Sequence, residues 1–182
     1  MADSLLEAKE IEHEIVLLRA ETQNQTEDMQ RDELLLEAQR IKLIRELRTI
    51  YPISIIDHDP PKYLVRGLEL PTDLQTSTVT EDEISAALGF ICHLVCQIQK
   101  YLSIQFRYRI FCNSSRSAIQ QGTIIYPLFI ARVVEREQVD RGMLLLDANV
   151  NCVLKTLRIE FNKKSHILER LQKVYSHVID GS

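Results

Sequence analysis

The residues best placed by type for chemistry are Cys92-His93-Leu94-Val95-Cys96, where two thiols at i and i+4 share one helix face and could ligate a metal. A structural zinc site needs four ligands, usually as two tight pairs, and Cys112 and Cys152 stand singly in other elements. Core packing is therefore the favoured reading of Cys92 and Cys96. Asp57-His58-Asp59 flanks an imidazole with carboxylates, yet neighbours in extended chain point to opposite faces and Pro60-Pro61 marks a turn, so a solvated loop is expected. Glu10, Glu12, His13 and Glu14 lack the His-Glu-x-x-His order that sets two imidazoles on one helix face. No phosphate-cradling glycine loop or Gly-x-Ser-x-Gly elbow occurs. Asn113-Ser114-Ser115-Arg116-Ser117 could pair Arg116 with phosphate, but its composition reads first as a turn, with the guanidinium anchoring a neighbouring strand. Lys155, Arg158, Lys163, Lys164, Arg170 and Lys173 outweigh Glu160 and Glu169; a solvated helix face explains them more simply than an anionic membrane contact does. No catalytic, cofactor-binding or metal-binding residue is assigned.

Those residues must be positioned by elements that the periodicity outlines. Thr80-Glu81-Asp82-Glu83 is a capping box, and the helix it opens, Thr80 to Leu102, is apolar nearly all round, which predicts a central buried helix. Ile53 to Ile56 and Tyr63 to Leu70 read as strands before it. After it, Gln105 to Cys112 and Thr123 to Ala131 read as strands, with a shorter extended piece near Ser117 to Gln120. From Val133 the three-and-four spacing returns through Val139, Met143, Leu146, Val150, Val153 and Leu157, with Gly142 as a weak point, and a last helix runs from about Ser165 to Val178. Strands, helix, strands, then helices is an α+β order.

Residues 1–50 behave differently. They contain no Gly, and Pro52 is the first Pro of the chain. Residues 1–49 hold 12 acidic and 7 basic side chains, whereas the whole chain has 26 acidic and 22 basic. A net charge of −4 is the wrong sign for a general nucleic-acid binder, and no nucleic acid is expected as a partner. Apolar residues recur at sevens through Ala8, Ile15, Met29, Leu36, Leu43 and Ile50, with Thr22 in the gap; these are the a positions of a coiled-coil seam. The d positions Ile11 and Leu18 are apolar, and Gln25, Asp32, Gln39 and Glu46 are not. Parallel self-pairing would oppose Asp32 to its own copy, so a different partner is expected. Tyr51-Pro52 ends the helix, dividing the chain into a coiled coil at 1–50 and a domain at 51–182. Partner contact is assigned to Ile11, Ile15, Leu18, Met29, Asp32, Leu36, Leu43 and Leu47. Met1-Ala-Asp-Ser does not open a signal peptide, and the longest uncharged apolar stretch, Ala86 to Cys96, is too short to span a bilayer, so a cytoplasmic protein is expected.

Short strings in colinear order add to this: Leu43-Ile44-Arg45-Glu46-Leu47, Ile50-Tyr51-Pro52-Ile53, Ala87-Leu88-Gly89-Phe90 with His93-Leu94-Val95, Arg107-Tyr108, Ser115-Arg116-Ser117, Tyr126-Pro127-Leu128, and Gly142 with Leu145-Leu146 and Asn149. Over about residues 35 to 155 they resemble the UV radiation resistance-associated protein family, whose yeast relatives are the endosomal subunit of the class III phosphatidylinositol 3-kinase. The resemblance implies a coiled coil followed by a Beclin-like β/α autophagy-specific domain of three strand-strand-helix units. It implies a non-catalytic scaffold subunit that forms a heterodimer with a Beclin-type coiled-coil protein. The catalytic and pseudokinase subunits are then further partners, and the location is peripheral on endosomal or autophagic membranes. Family members carry a lipid-binding-type β-sandwich before the coil and a long tail after the domain. Neither fits here, so the chain is expected to correspond to a part. The alternatives are the autophagosome-initiating subunit of the sister complex, a self-associating coiled-coil protein with a peripheral membrane domain, and a small enzyme using Cys92, His93 and Cys96.

Overall fold

In the computed structural model, α1 runs from Ala2 to Ile50 and stops where Pro52 removes a donor. The structure describes residues 2–56, 59, 61–74, 77–131 and 136–181, with side chains from residue 11 onward. Two compact units divide the chain, Met1–Arg40 and Ile41–Ser182, so the last turns of α1 belong with the second unit.

In the second unit, β1 (Ile53–Ile56), β2 (Lys62–Val65) and β3 (Leu68–Glu69) form one antiparallel sheet in that order. The stretch Tyr63 to Leu70, expected as one strand, is a hairpin, because Arg66 and Gly67 adopt φ of 51° and 81° and reverse the chain between Val65 and Leu68. Two consecutive positive φ values match the right-handed twist of the flanking strands. Helix α2 (Glu81–Tyr101) follows and is central as expected, with Leu88, Ile91, Leu94, Val95 and Ile98 fully buried. Half of its capping box is present: Thr80 Oγ1 accepts from Glu83 N at 3.3 Å. The other half is redirected, since the Glu83 carboxylate accepts from the backbone N–H of Glu69 at 3.4 Å and so ties β3 to the helix start.

The second antiparallel sheet is β4 (Arg109–Phe111), β5 (Ala118–Gln121) and β6 (Ile124–Pro127), with the short piece β5 at its centre. The strand expected from Gln105 is shorter for a specific reason. Asn149, buried in α3 (Arg136–Thr156), accepts from Tyr108 N at 3.3 Å and donates to Tyr108 O at 2.7 Å, taking the place of a strand partner. Past β6, Ser85 of α2 takes the same role, its Oγ accepting from Ile130 N at 2.9 Å. Residue Val133, where helical spacing was expected to resume, lies outside the described residues. Gly142 is not a weak point in α3: a Cβ there would sit 2.7 Å from Pro127 O, so its absence lets the helix lie against β6. The chain closes with α4 (Ile167–Asp180), capped by His166, whose Nδ1 accepts from Leu168 N at 3.2 Å. The first sheet packs on α2 and α4, and the second on α2 and α3. Mixed helix and strand, α+β, is the class observed, but the order is three strands and a helix, twice, then a final helix. Among the described residues no strands precede α4 after α3, so three strand-strand-helix units are not what the chain forms.

Candidate partner-binding interface

Every described side chain of α1 from Ile11 to Gln39 is exposed. At 100° per residue, Ile11, Ile15, Leu18, Met29 and Leu36 fall within an arc of about 60°, and Met29 is 72% and Leu36 51% exposed. Thr22, in the gap of the row, donates its hydroxyl to Leu18 O at 2.7 Å, and Thr26 does the same to Thr22 O at 2.8 Å. Both hydroxyls are satisfied by their own helix, which makes these positions less polar than their residue type suggests. Asp32 is different. It stands exposed at a d position of the heptad row, about 40° beyond the edge of that arc on a straight helix, with no hydrogen bond or ion pair to it among the described residues. The nearby Arg31–Asp28 pair, at 3.9 Å with both side chains about three-quarters exposed, adds little.

Leu43 is half-buried, and Leu47 is a correction: at 3% exposed it packs beside Ile44 in the core of the second unit and is not available to a partner. The reason is tertiary. Tyr175 on α4, itself buried, donates its hydroxyl to both Leu47 O and Tyr51 O, at 3.3 and 3.2 Å, closing the end of α1 into the domain. Burial pushes that phenol well above its ordinary pKa, so it remains a donor. A strict heptad also misses four exposed side chains: Val16 with Leu17, and Leu34 with Leu35. They are eighteen residues apart, about five turns, so each pair faces the same two directions outside the arc. The unbroken runs Ile15-Val16-Leu17-Leu18 and Leu34-Leu35-Leu36 are the signal that could have found them.

The residues read for chemistry separate in the structure. His93 is engaged at both nitrogens, Nδ1 with Tyr51 Oη at 2.6 Å and Nε2 with Gln97 Nε2 at 3.2 Å. Among the described residues no three His, Cys, Asp or Glu side chains gather as a metal site. Cys92 is fully buried, and burial raises its thiol far above the ordinary range, as core packing requires. Cys112, expected to stand apart, lies with its Sγ 2.9 Å from Cys96 Sγ, because β4 returns its last residues to α2. Cys152 Sγ rests 3.8 Å from Gln105 O. Glu12, His13 and Glu14 are exposed on α1. Asp57 and His58, and the Glu10 side chain, lie outside the described residues.

Arg116 was expected to anchor the turn after β4, but it is exposed and Ser117 does that work. Fully buried, the Ser117 hydroxyl donates to Ser114 O at 2.9 Å and accepts from Asn113 N at 3.1 Å. Arg116 instead lines an open cavity of about 720 Å³ whose wall includes Glu81 and Asp82, a poor setting for phosphate. Arg170 is a second correction to the outer basic face. Its guanidinium is buried and pairs with Asp147 and Asn151 of α3, leaving Lys155, Arg158, Lys163 and Lys164 as the exposed cations of that region.

Fold and surface together define a helix with an uncovered apolar row, followed in the chain by a small α+β domain; that is the form of a protein-interaction module. The chain belongs to the vacuolar sorting 38 and autophagy-related subunit 14 family, whose model matches residues 7–137. It is 29% identical over 145 residues to Vacuolar protein sorting-associated protein 38 of Schizosaccharomyces pombe, a match covering 76% of this chain and 30% of that protein. It is 32% identical over 117 residues to the UV radiation resistance-associated protein of Mus musculus, covering 60% of this chain and 16% of that one. The chain thus matches less than a third of the length of either relative.

Proposed function

We propose that this chain acts as a non-catalytic regulatory subunit of the class III phosphatidylinositol 3-kinase complex, within the branch of the UV radiation resistance-associated protein. In this reading α1 pairs with a Beclin-type coiled-coil protein, and the catalytic and pseudokinase subunits assemble with that pair. The work served is endosomal trafficking and autophagosome maturation, at the cytoplasmic face of endosomal or autophagic membranes. The observation that carries the proposal is the exposed row of Ile11, Ile15, Leu18, Met29 and Leu36, broken by Asp32. Two identical helices in parallel would bring Asp32 against Asp32 and set Gln25 and Gln39 against their copies. They would also double an acidic charge excess that a basic partner would neutralise. No described helix is long and apolar enough to cross a membrane, which fits peripheral attachment. The sister complex, which initiates autophagosomes, is the second reading, favoured by a family model that takes its name in part from autophagy-related subunit 14.

Co-expression of the chain with a Beclin-type protein and the catalytic and pseudokinase subunits tests the proposal. All four should co-purify, and Leu36→Glu should release this chain from the other three. Co-purification untouched by Leu36→Glu and by Ile15→Glu would remove α1 from the contact; a chain that never joins the other three would overturn the proposal.

A further inference from the structure

The return of β4 to α2 brings together two thiols that the sequence keeps sixteen positions apart, Cys96 on the helix and Cys112 just past the strand. Their sulfurs are 2.9 Å apart, while both cysteines are free. Access differs between them. Cys112 is exposed and lines a cavity of about 380 Å³ together with Tyr51, Phe90, His93 and Ser114, whereas Cys96 is half-buried beneath it. An exposed thiol backed by a second thiol is the arrangement of a peroxide-oxidisable centre with its resolving cysteine. We propose that Cys96 and Cys112 form a reversible oxidation site, closing to an intramolecular disulfide when the chain meets hydrogen peroxide.

Access assigns the roles, since peroxide reaches the exposed Cys112 before the half-buried Cys96, and the electrostatics run the same way. With both sulfurs protonated, the Cys112 thiol donates to Cys96 Sγ at 2.9 Å and lies 3.5 Å from Cys92 O. Once Cys112 ionises, the Cys96 thiol can donate in return, and that bond, with the Lys100 ammonium, lowers the Cys112 pKa against the burial that raises it. Cys96 is held protonated, first by that same bond and then by burial. Cys112 is the attacking sulfur. Its thiolate displaces hydroxide from hydrogen peroxide, giving a Cys112 sulfenic acid, and the hydroxide takes up the proton that Cys112 had released. Cys96 sulfur then attacks the sulfenic sulfur, the S–O bond breaks, and the Cys96 proton leaves with the departing hydroxyl as a second water. Two thiols and one peroxide become one disulfide and two waters. A small dithiol returns both sulfurs to thiols by exchange.

The bond would fasten the turn after β4 to α2, where the backbone of Ser114 already lies against Gly89. Cys92 is also near, its carbonyl 3.5 Å from Cys112 Sγ, but its thiol is buried and held protonated, and Cys152 sits on a different helix.

The test is oxidation of the full chain by a small molar excess of hydrogen peroxide, followed by alkylation and peptide mass mapping. A Cys96–Cys112 cross-linked peptide, two hydrogens lighter than its parts, should appear within the monomer and vanish on treatment with dithiothreitol. The thermal midpoint should rise by about 5 to 10 °C on oxidation, as expected for a closed loop of this length, and Cys112→Ser should abolish both changes. Cys96→Ala should leave Cys112 trapped as a dimedone-reactive sulfenic acid. Because Cys112 is exposed, its serine variant reports even if Cys96→Ala proves unstable. Both thiols remaining free under peroxide, over-oxidation of wild-type Cys112 without a cross-link, or a disulfide between two chains would each overturn the proposal.

Discussion

Gly89 sits in the middle of α2, where alanine should be the better helix former by about 1 kcal/mol. The structure predicts the opposite sign. A Cβ at Gly89 would lie 2.2 Å from Ser114 O and 2.7 Å from Ser114 C. Both atoms are backbone, held by Ser117 through its bonds to Ser114 O and Asn113 N, so no flexible side chain can swing aside. Relief requires the turn at Ser114–Arg116 to lift from α2, and an approach this close to backbone belongs at the upper end of the range for overpacking, about 2 to 3 kcal/mol. Against the propensity gain, Gly89→Ala should therefore destabilise by about 1 to 2 kcal/mol, lowering the thermal midpoint by about 2 to 8 °C. Circular dichroism melts of wild type and Gly89→Ala, with urea midpoints as a second measure, decide the sign. An unchanged or higher midpoint would refute the reasoning, because it would mean that the turn does not bear on the helix.

Three further outcomes follow from the packing. Leu88→Ala, at a fully buried site on the central helix, should cost about 2 to 5 kcal/mol in urea unfolding; a loss below 1 kcal/mol would contradict the layer order. His166 is stacked on Tyr63 at 3.9 Å, and burial followed by the Arg170 charge lowers its pKa to about 4. The native state favours the neutral ring, so this contribution is intact above the unfolded-state value of about 6.5 and is lost as pH falls from there toward 4. The loss approaches about 3 kcal/mol, and His166→Asn, which keeps a cap acceptor, should flatten that part of the stability profile; equal slopes for both proteins would contradict it. Asp147→Ala strands the buried Arg170 guanidinium and should destabilise by about 2 to 4 kcal/mol, while Asp147→Ala combined with Arg170→Met should recover part of that loss; strict additivity would show that the pair is uncoupled.

How far the sequence could be read depends on where each residue finds its partner. Helix α2 was legible because its cues are local: Thr80 caps it and its apolar faces recur within the same segment. The row on α1 was legible for the same reason, as every member repeats along one helix. Leu47 was misread because its spacing suits a seam, while its burial depends on Tyr175, more than a hundred residues later. Gly142 and Glu83 mislead in a similar way. One makes room for Pro127 and the other reaches Glu69, and neither neighbour is visible in helix propensity. Strands were overextended at Gln105 because residues with strand propensity can be satisfied by a side chain such as Asn149 instead of a ladder. The proximity of Cys96 to Cys112 is a product of topology, and no spacing rule contains it.

The most direct measurement is sedimentation equilibrium of the full chain at micromolar concentration, alone and with an equimolar Beclin-type coiled-coil segment. The account predicts a monomer or weak dimer for the chain alone and a one-to-one complex in the mixture. Asp32→Leu should strengthen self-association, since it restores apolar contact in the middle of the row. A tight wild-type homodimer that excludes the added segment would contradict the account and favour a self-associating coiled-coil protein.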